Sequence, residues 1–344
     1  MSGRRALRSL CRHCWSVVSL VLLVSTITAS CVANPSSIEF SSSNEVARLS
    51  QHATVAISGV TVIPSEEDGA DQTHMTALSI SVPVDESQPV QNRIDDVIAQ
   101  GGIAIINHPK LLSDLTAIDL QCMTGYSGIE IYNGFVVANW PPLGDAIDIW
   151  DAINTYRAET EADLIWGFGA DDGHRLEELG KAFVVAKALN SDTSSVLASL
   201  RNGSFYSSTG VAITDIEVVG CREIVVTLSE ESTITFTGKG GAVLQRTEQP
   251  SSSAVYRVQG DEGYVRVEVD NPSGKAWTQP MPIAGTGVID NPYAPKGKWL
   301  KGIIHCHSTE SDGTSAPHEI VDWCSQNGYS FLAITDHNRI TIPT

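Results

Sequence analysis

The sequence predicts an α/β protein made of βα units, with a small all-β domain set between two parts of that fold. Three observations support this prediction. Short apolar, β-branched runs alternate with amphipathic helical patterns, a central segment has short alternating runs instead, and histidines and acidic residues follow the apolar runs. Continuous apolar runs of this length are typical of buried parallel strands, and their alternation with helices indicates βα units.

Six apolar runs are predicted to be buried strands of the α/β part. They cover residues 60–63, 103–106, 129–132, 164–168, 303–304 and 331–334. Helices are predicted over residues 145–156, whose large apolar side chains share one face, and over residues 193–200, for which Ser191 and Asp192 are candidate caps. A further short helix is expected over residues 44–53.

The domain organisation follows from changes in composition along the chain. Residues 1–31 are predicted to be an export signal, and residues 32–58, rich in Ser and Asn, a tether. Residues 59–210 and 286–344 carry the α/β pattern. Residues 211–285 between them combine alternating runs with turn clusters and no helical period, so they are predicted to form a β-sandwich.

The N-terminal segment has the layout of an export signal, because basic residues precede an apolar run and small residues follow it. The tripeptide before Cys31 resembles a bacterial lipobox, in which the cysteine is lipidated. Two interpretations stay open: a lipoprotein anchored through Cys31, and a secreted form that is simply cleaved. Either predicts a periplasmic or cell-surface protein whose contact with a membrane is confined to a lipid at Cys31.

The charge of the chain bears on its partners. The formal net charge is −18, from 22 basic and 40 acidic residues. Such a charge disfavours a broad surface for nucleic acid or anionic lipid. A nucleic acid is therefore not the predicted partner. The partner predicted is a small-molecule substrate, and the sequence leaves the oligomeric state open.

Residues of the kinds that bind metal ions follow most of the predicted strands. Because the carboxyl ends of parallel strands converge on one face of a barrel, these side chains are expected to meet in one place. Imidazole and carboxylate ligands together suit Zn²⁺, Mn²⁺ or Fe²⁺. His305 and His307 point the same way on an extended strand and can hold one ion together. The residues concerned are Glu66, Glu67, His74, His108, Asp171, Asp172, His174, His305, His307, Asp336 and His337.

As a set, these motifs resemble the PHP family, named for its polymerase and histidinol phosphatase members. The family's opening motif, a His-x-His pair followed by an acid, and its second, an Asp-His pair, both occur here near the C-terminus. Its glutamate motif resembles residues 63–67, where Glu67 is the better ligand candidate. The residues that match ligand positions of the family are His305, His307, Asp312, His337, Glu67, His74, His108, Asp172 and His174.

The resemblance implies a distorted (β/α)7 barrel that holds about two or three divalent ions, Zn, Mn or Fe. It implies that water activated by these ions attacks the substrate, so that no protein nucleophile is needed. The ligands implied for one ion are Glu67, Asp172, His305 and His307. Those implied for a second are Glu67, His74 and His108, and the set is completed by His174, His337 and Asp312.

Phosphoester hydrolysis is the activity that the resemblance favours, because phosphoryl oxygens suit a site with several metal ions. Hydrolysis of a carbamate, ester or amide is the alternative, since segments 166–174, 202–210 and 264–280 look most like a secreted branch that includes carbaryl hydrolase-like proteins. No cluster of Arg or Lys beside the motifs separates these two chemistries. A third hypothesis is a non-catalytic cell-surface binding protein, which the complete ligand set argues against.

The order of the motifs departs from the family, because the His-x-His and Asp-His motifs come last, after the predicted β-domain. One explanation is a circular permutant, with the old ends joined through residues 285–297 and the new ends in the loop after Asn338. The other is a piece of a tandem array. A linker of this length spans up to ~40 Å when extended, and exposed loops tolerate new termini. Because each motif occurs once, the permutant is the preferred explanation.

Overall fold

The computed structural model describes residues 55–69, 73–111 and 115–343. The predicted export signal and the helix expected over residues 44–53 lie outside these ranges, as does most of the predicted tether. Within the described ranges, no helix is long and apolar enough to cross a membrane.

The described residues form strands and helices that are numbered here in chain order. The strands are β1 (Val55–Ile57), β2 (Val60–Val62), β3 (Ser65–Asp68), β4 (Met75–Leu78), β5 (Ile103–Ile106), β6 (Gly128–Asn133), β7 (Trp166–Ala170), β8 (Phe183–Ala188), β9 (Phe205–Ser208), β10 (Ile213–Val219), β11 (Glu223–Thr237), β12 (Val243–Arg246), β13 (Ser251–Arg257), β14 (Tyr264–Asn271), β15 (Gly274–Thr278), β16 (Met281–Pro282), β17 (Lys298–Ile303) and β18 (Phe331–Leu332). The helices are α1 (Val90–Ala99), α2 (Ala117–Cys122), α3 (Gly134–Asn139), α4 (Ile147–Glu159), α5 (Thr193–Arg201) and α6 (Pro317–Gln326).

Each predicted strand overlaps an observed one, and the helices predicted over residues 145–156 and 193–200 overlap α4 and α5. The side chain of Asp192 accepts a hydrogen bond from the amide of Ser195 at 2.7 Å, so Asp192 and not Ser191 is the cap of α5. Strand β17 begins earlier than predicted. Its first residues pair with β8 while their side chains stay partly exposed, so no apolar run marks them in the sequence.

The strands form two hydrogen-bonded sheets. The five-stranded sheet has the order β3-β4-β5-β6-β7, in which β5, β6 and β7 are parallel and β4 is antiparallel to both of its neighbours. The larger sheet runs β1-β2-β18-β17-β8-β9-β15-β14-β11-β10, and within it β17, β18 and β2 are parallel. The strand pairs of the described residues close neither sheet into a barrel.

Two short bridges join the sheets at the carboxyl ends of their strands. Glu67 in β3 pairs in parallel with His337, which follows β18. Gly173, after β7, pairs in parallel with Cys306, after β17, and its carbonyl accepts a hydrogen bond from the amide of His307 at 2.9 Å. The segments that follow β3, β7, β17 and β18 therefore lie side by side.

A buried apolar cluster takes side chains from both sheets. Burying one such side chain contributes about 1.5–3 kcal/mol, so a shared cluster holds the early and late parts of the chain together. Two of its rings, Phe168 and Phe205, are stacked with centroids 4.7 Å apart. Members that represent both sheets are Ile63, Leu78, Ile105, Phe168, Ile304 and Phe331.

Strands β10 to β16 are antiparallel to their partners. They continue the larger sheet, because β15 pairs with β9 through Trp277 and Ser207. The segment predicted as a β-sandwich, residues 211–285, is thus strand-rich and shares a sheet with the α/β part.

A buried ion pair links α4 to the strand-rich segment. Arg266 in β14 donates to the two carboxylate oxygens of Asp151 in α4, from Nε at 2.8 Å and from Nη2 at 2.7 Å, and Tyr264 donates its hydroxyl to the same group at 2.9 Å. Replacing Asp151 with Ala leaves a buried guanidinium without this partner. We expect the free energy of unfolding, measured by urea denaturation, to fall by about 3–5 kcal/mol.

A double variant provides the control for this prediction. Asp151→Leu combined with Arg266→Met removes both charges, so it is expected to be more stable than Asp151→Ala alone. Equal stability of Asp151→Ala and the unchanged protein would show that this pair contributes nothing.

Candidate metal centre

The residues predicted as metal ligands lie where the two bridges join the sheets. Most follow the carboxyl end of a strand. Because β4 is antiparallel to its neighbours, the residue before its amino end, His74, lies at the same edge. The positions are Glu67 in β3, His74 before β4, His108 after β5, Asp172 and His174 after β7, His305 and His307 after β17, Asp312 in the loop before α6, and His337 after β18.

Among the residues that the structure describes, three groups of side chains place their ligand atoms within 4.8 Å of one another. Because Glu67 belongs to two groups and His307 to two, the groups form one continuous cluster. The first group is Glu67, Asp172, His305 and His307, all buried; the second is Glu67, His74 and His108; the third is His174, His307 and Asp312.

The first group is the most buried. Nε2 of His307 lies 3.1 Å from Oδ1 of Asp172 and 3.3 Å from Oε2 of Glu67. Nε2 of His305 lies 3.3 Å from each of the same two oxygen atoms. Two imidazoles and two carboxylates that converge on one point suit Zn²⁺, Mn²⁺ or Fe²⁺, so the chemistry of this donor set fits a divalent ion.

The second group uses the other oxygen of Glu67. Its Oε1 lies 3.1 Å from Nδ1 of His74 and 3.3 Å from Nε2 of His108. The side-chain amide of Asn107 donates a hydrogen bond to the same oxygen at 2.8 Å. The two oxygens of one carboxylate therefore face two different sets of imidazoles.

The third group lies on the open side of the cluster. Asp312, whose side chain is 53% exposed, has Oδ2 3.2 Å from Nε2 of His174 and Oδ1 3.4 Å from Nδ1 of His307. His337 lies between the groups, with Nδ1 3.4 Å from Oε2 of Glu67 and Nε2 3.7 Å from Oδ2 of Asp312. The structure thus brings every predicted ligand into or beside one cluster.

The electrostatics of the metal-free cluster follow from these distances. Burial opposes ionisation of Glu67 and Asp172, but the neighbouring imidazoles, His305 first among them, hold the pKa of both carboxyls below the usual range. Burial likewise opposes protonation of the imidazoles, but these carboxylates raise the pKa of His305 well above its usual value and that of His307 to about 9. The carboxylates therefore favour the protonated form of these imidazoles, and the imidazoles favour the ionised form of the carboxylates.

Metal binding is therefore expected to release protons, because a protonated imidazole cannot coordinate an ion. The pKa of His307 is raised to about 9, so its imidazole loses the proton only near that pH when no ion is bound. Since protons compete with the ion below that pH, the affinity for Mn²⁺ should rise as the pH increases toward 9. Calorimetric titration with Mn²⁺ in buffers of different ionisation enthalpy measures the protons released. An affinity that stays constant between about pH 6 and 8 would contradict this prediction.

Sequence reasoning missed Glu130, a buried residue in the middle of β6. Nδ1 of His305 donates a hydrogen bond to its Oε1 at 2.6 Å. Its Oε2 accepts from the amide of His108 at 2.8 Å and from the side chain of Asn133 at 2.9 Å. The available signal was an acid between Ile129 and Ile131, because an acidic residue inside an apolar strand is seldom buried without partners.

Three acids next to the ligands point away from the cluster. Neighbouring side chains of an extended segment alternate between its two faces, so the acid beside each ligand turns elsewhere. Glu66 accepts a hydrogen bond from the amide of Val84 at 2.6 Å, and Asp171 accepts from the amides of residues 180–182. Asp336 accepts from three neighbouring hydroxyl groups. Their role is to fix the loops that carry the ligands.

Comparison with known proteins gives one local similarity. No family model and no solved structure matches the chain. Over 40 residues the chain is 45% identical to the DNA polymerase/3'-5' exonuclease PolX of Bacillus subtilis (strain 168), a protein that has a PHP domain. The matched segment is 12% of this chain and 7% of that protein. The buried cluster could hold several metal ions.

Proposed function

We propose that this chain is a metal-dependent hydrolase of the PHP type that acts on phosphoesters. The observation that carries the proposal is the carboxylate of Glu67, whose Oε2 faces His305 and His307 and whose Oε1 faces His74 and His108. A carboxylate shared in this way can bridge two ions. When bound, such ions lower the pKa of water and stabilise the charge that develops on the scissile group.

The residues of the cluster differ in solvent exposure: those at its base are buried, and those at its opening are partly exposed. Glu67 and His305 are at most 1% exposed, so they keep bulk water away from the base of the cluster. His174, His337 and Asp312 are 21%, 31% and 53% exposed, and they form the mouth through which a substrate would enter. Imidazoles at the mouth can hold or transfer a proton beside a leaving group.

We also propose that the strands around the cluster correspond to a permuted PHP barrel. The supporting facts are the parallel pairs β17-β18 and β18-β2 and the bridges at Glu67–His337 and Gly173–Cys306. In this proposal the last two strands of the chain take the place of the first two strands of the family's barrel. Export by residues 1–31 is part of the same proposal, on the sequence pattern alone.

Hydrolysis of a carbamate, ester or amide is the second candidate. Basic side chains near the motifs are engaged by acids: Lys110 lies 2.6 Å from Asp148, and Arg339 lies 2.9 Å from Glu310. Neither of these two side chains is therefore committed to a phosphate. This observation supports a substrate with an uncharged scissile group, such as a carbamate, ester or amide, as the second candidate.

A set of substrates with one leaving group tests the proposal. The chain without residues 1–31 is loaded with Mn²⁺, Zn²⁺ or Fe²⁺ and given the 4-nitrophenyl esters of phosphate, acetate and N-methylcarbamate. Release of 4-nitrophenol is compared with that of a Glu67→Gln control. Hydrolysis of the phosphate is the expected result, and preference for the carbamate or acetate would favour the second candidate. Bound metal without any hydrolysis would support a binding protein.

A further inference from the structure

A cleft with a volume of about 560 Å³ opens beside the candidate metal centre. It is lined by the end of β6, by α3 and by the loop before β8. Pockets of ~300–1,000 Å³ are of the size that binds small molecules. The lining residues used below are Tyr132, Phe135, Val137, Ala138, Glu178 and Lys181.

The cleft and the metal centre share a wall at His174. The ring of Phe135, which lines the cleft, lies 4.8 Å from the ring of His174 between centroids. The carboxylate of Glu178, which also lines the cleft, accepts a hydrogen bond from the amide of His174 at 2.9 Å. The cleft therefore lies one side chain away from the third ligand group.

The walls of the cleft combine apolar and aromatic side chains with polar and charged ones. Phe135, Val137 and Ala138 come from α3, and the half-buried ring of Tyr132 lies at the end of β6. The charged lining residues, Glu178 and Lys181, have opposite signs. A second anionic group would meet the carboxylate of Glu178 as well as Lys181, so the lining favours an uncharged group.

We propose that this cleft binds an uncharged aryl group of the substrate, next to the scissile bond at the metal centre. The inference rests on the proposed hydrolytic function and narrows it to aryl esters of small molecules. The aryl ring would contact Phe135 and cover the side chains of Val137 and Ala138, which removes apolar surface from water. A nucleic acid strand would instead carry a further phosphate into the cleft, beside Glu178.

Two variants of the cleft test the proposal, one that fills it and one that removes its ring. Ala138→Trp places an indole in the cleft, and Phe135→Ala removes the aromatic wall. Ala99→Trp, at an exposed position of α1 that does not line the cleft, is the matched control. For each protein, the ratio of kcat/KM for phenyl phosphate to kcat/KM for methyl phosphate is measured. Comparing this ratio between the proteins cancels changes in metal content and the difference in intrinsic reactivity of the two esters.

We expect the ratio to fall about tenfold in Ala138→Trp and in Phe135→Ala, and to change less than about twofold in Ala99→Trp. Binding of benzyl alcohol to the metal-free protein, followed by saturation-transfer NMR, gives a readout that needs no hydrolysis. Benzyl alcohol is expected to bind the unchanged protein and Ala99→Trp, and to lose binding in Ala138→Trp.

The two readouts separate the inference from the proposed function. If both esters are hydrolysed while the ratio and benzyl alcohol binding are unchanged in Ala138→Trp, the aryl site is overturned and the hydrolase stands. If neither ester is hydrolysed but benzyl alcohol binding is lost in Ala138→Trp alone, the cleft stands as an aryl-binding site and the hydrolase fails.

Discussion

Replacing Glu67 with Gln is expected to remove metal from both of the ligand groups that this residue joins and to lower hydrolysis by ~10³-fold or more. Glutamine keeps the size of the side chain but loses the charge, and its amide nitrogen cannot coordinate an ion. Oε2 of Glu67 lies 3.3 Å from both His305 and His307, while Oε1 lies 3.1 Å from His74. Elemental analysis and kcat/KM measure the two effects.

The neighbouring glutamate supplies a matched control. Glu66 is also buried, but its carboxylate accepts from the amide of Val84 and faces away from the cluster. Burial raises the pKa of Glu66 to about 7, whereas the neighbouring imidazoles lower the pKa of Glu67. Glu66→Gln is expected to keep its metal. Full metal content in Glu67→Gln, in a protein whose circular dichroism is unchanged, would contradict the shared-ligand account.

A second large effect is expected at Glu130, because it orients ligands of two groups. The hydrogen bond from Nδ1 of His305 to Glu130 turns Nε2 of that ring toward Glu67 and Asp172. The other oxygen of Glu130 holds the amide of His108. Glu130→Ala removes both contacts, so metal affinity should fall by about 10–100-fold, measured by competition with a coloured chelator.

Glu130→Gln distinguishes the effect of the size of the side chain on metal affinity from the effect of its charge. Glu130→Gln keeps an oxygen that can accept from the amide of His108, so its affinity should lie between those of the unchanged protein and Glu130→Ala. The absorption spectrum of bound Co²⁺ reports whether the ligand geometry has changed. Unaltered affinity and an unaltered Co²⁺ spectrum in Glu130→Ala would show that His305 is held by other contacts.

Several strands could be predicted because both of their faces are buried. Strands β5 and β6 are such cases, and each overlaps a run of apolar, β-branched residues. Strand β3 could not be predicted in this way, because its sequence, Ser-Glu-Glu-Asp, consists of polar and acidic residues that are rare in buried strands. It is buried because distant residues satisfy its acids: Arg93 pairs with Asp68, and Val84 donates to Glu66.

Some residues of the site could likewise be predicted from the sequence, and others could not. Most of the nine ligand candidates could be predicted because they stand in short motifs at strand ends, whereas Asp312 could be predicted only from the resemblance to the PHP family. The choice of Glu67 over Glu66 depends on strand alternation, which the structure resolves by turning Glu66 toward Val84. Glu130 carries no motif, and its partner His305 is 175 positions away along the chain. Its role depends on contacts between strands that no local pattern encodes.

The most direct test of the account is the metal content of the monomeric chain lacking residues 1–31. The cluster needs ligands from residues 67–174 and from residues 305–337 in one polypeptide. The account predicts about two or three ions per chain in the monomer-sized fraction, and their loss in His305→Ala/His307→Ala. No bound ions, or ions that appear only in an oligomer, would show that the two parts of the chain do not form one metal centre.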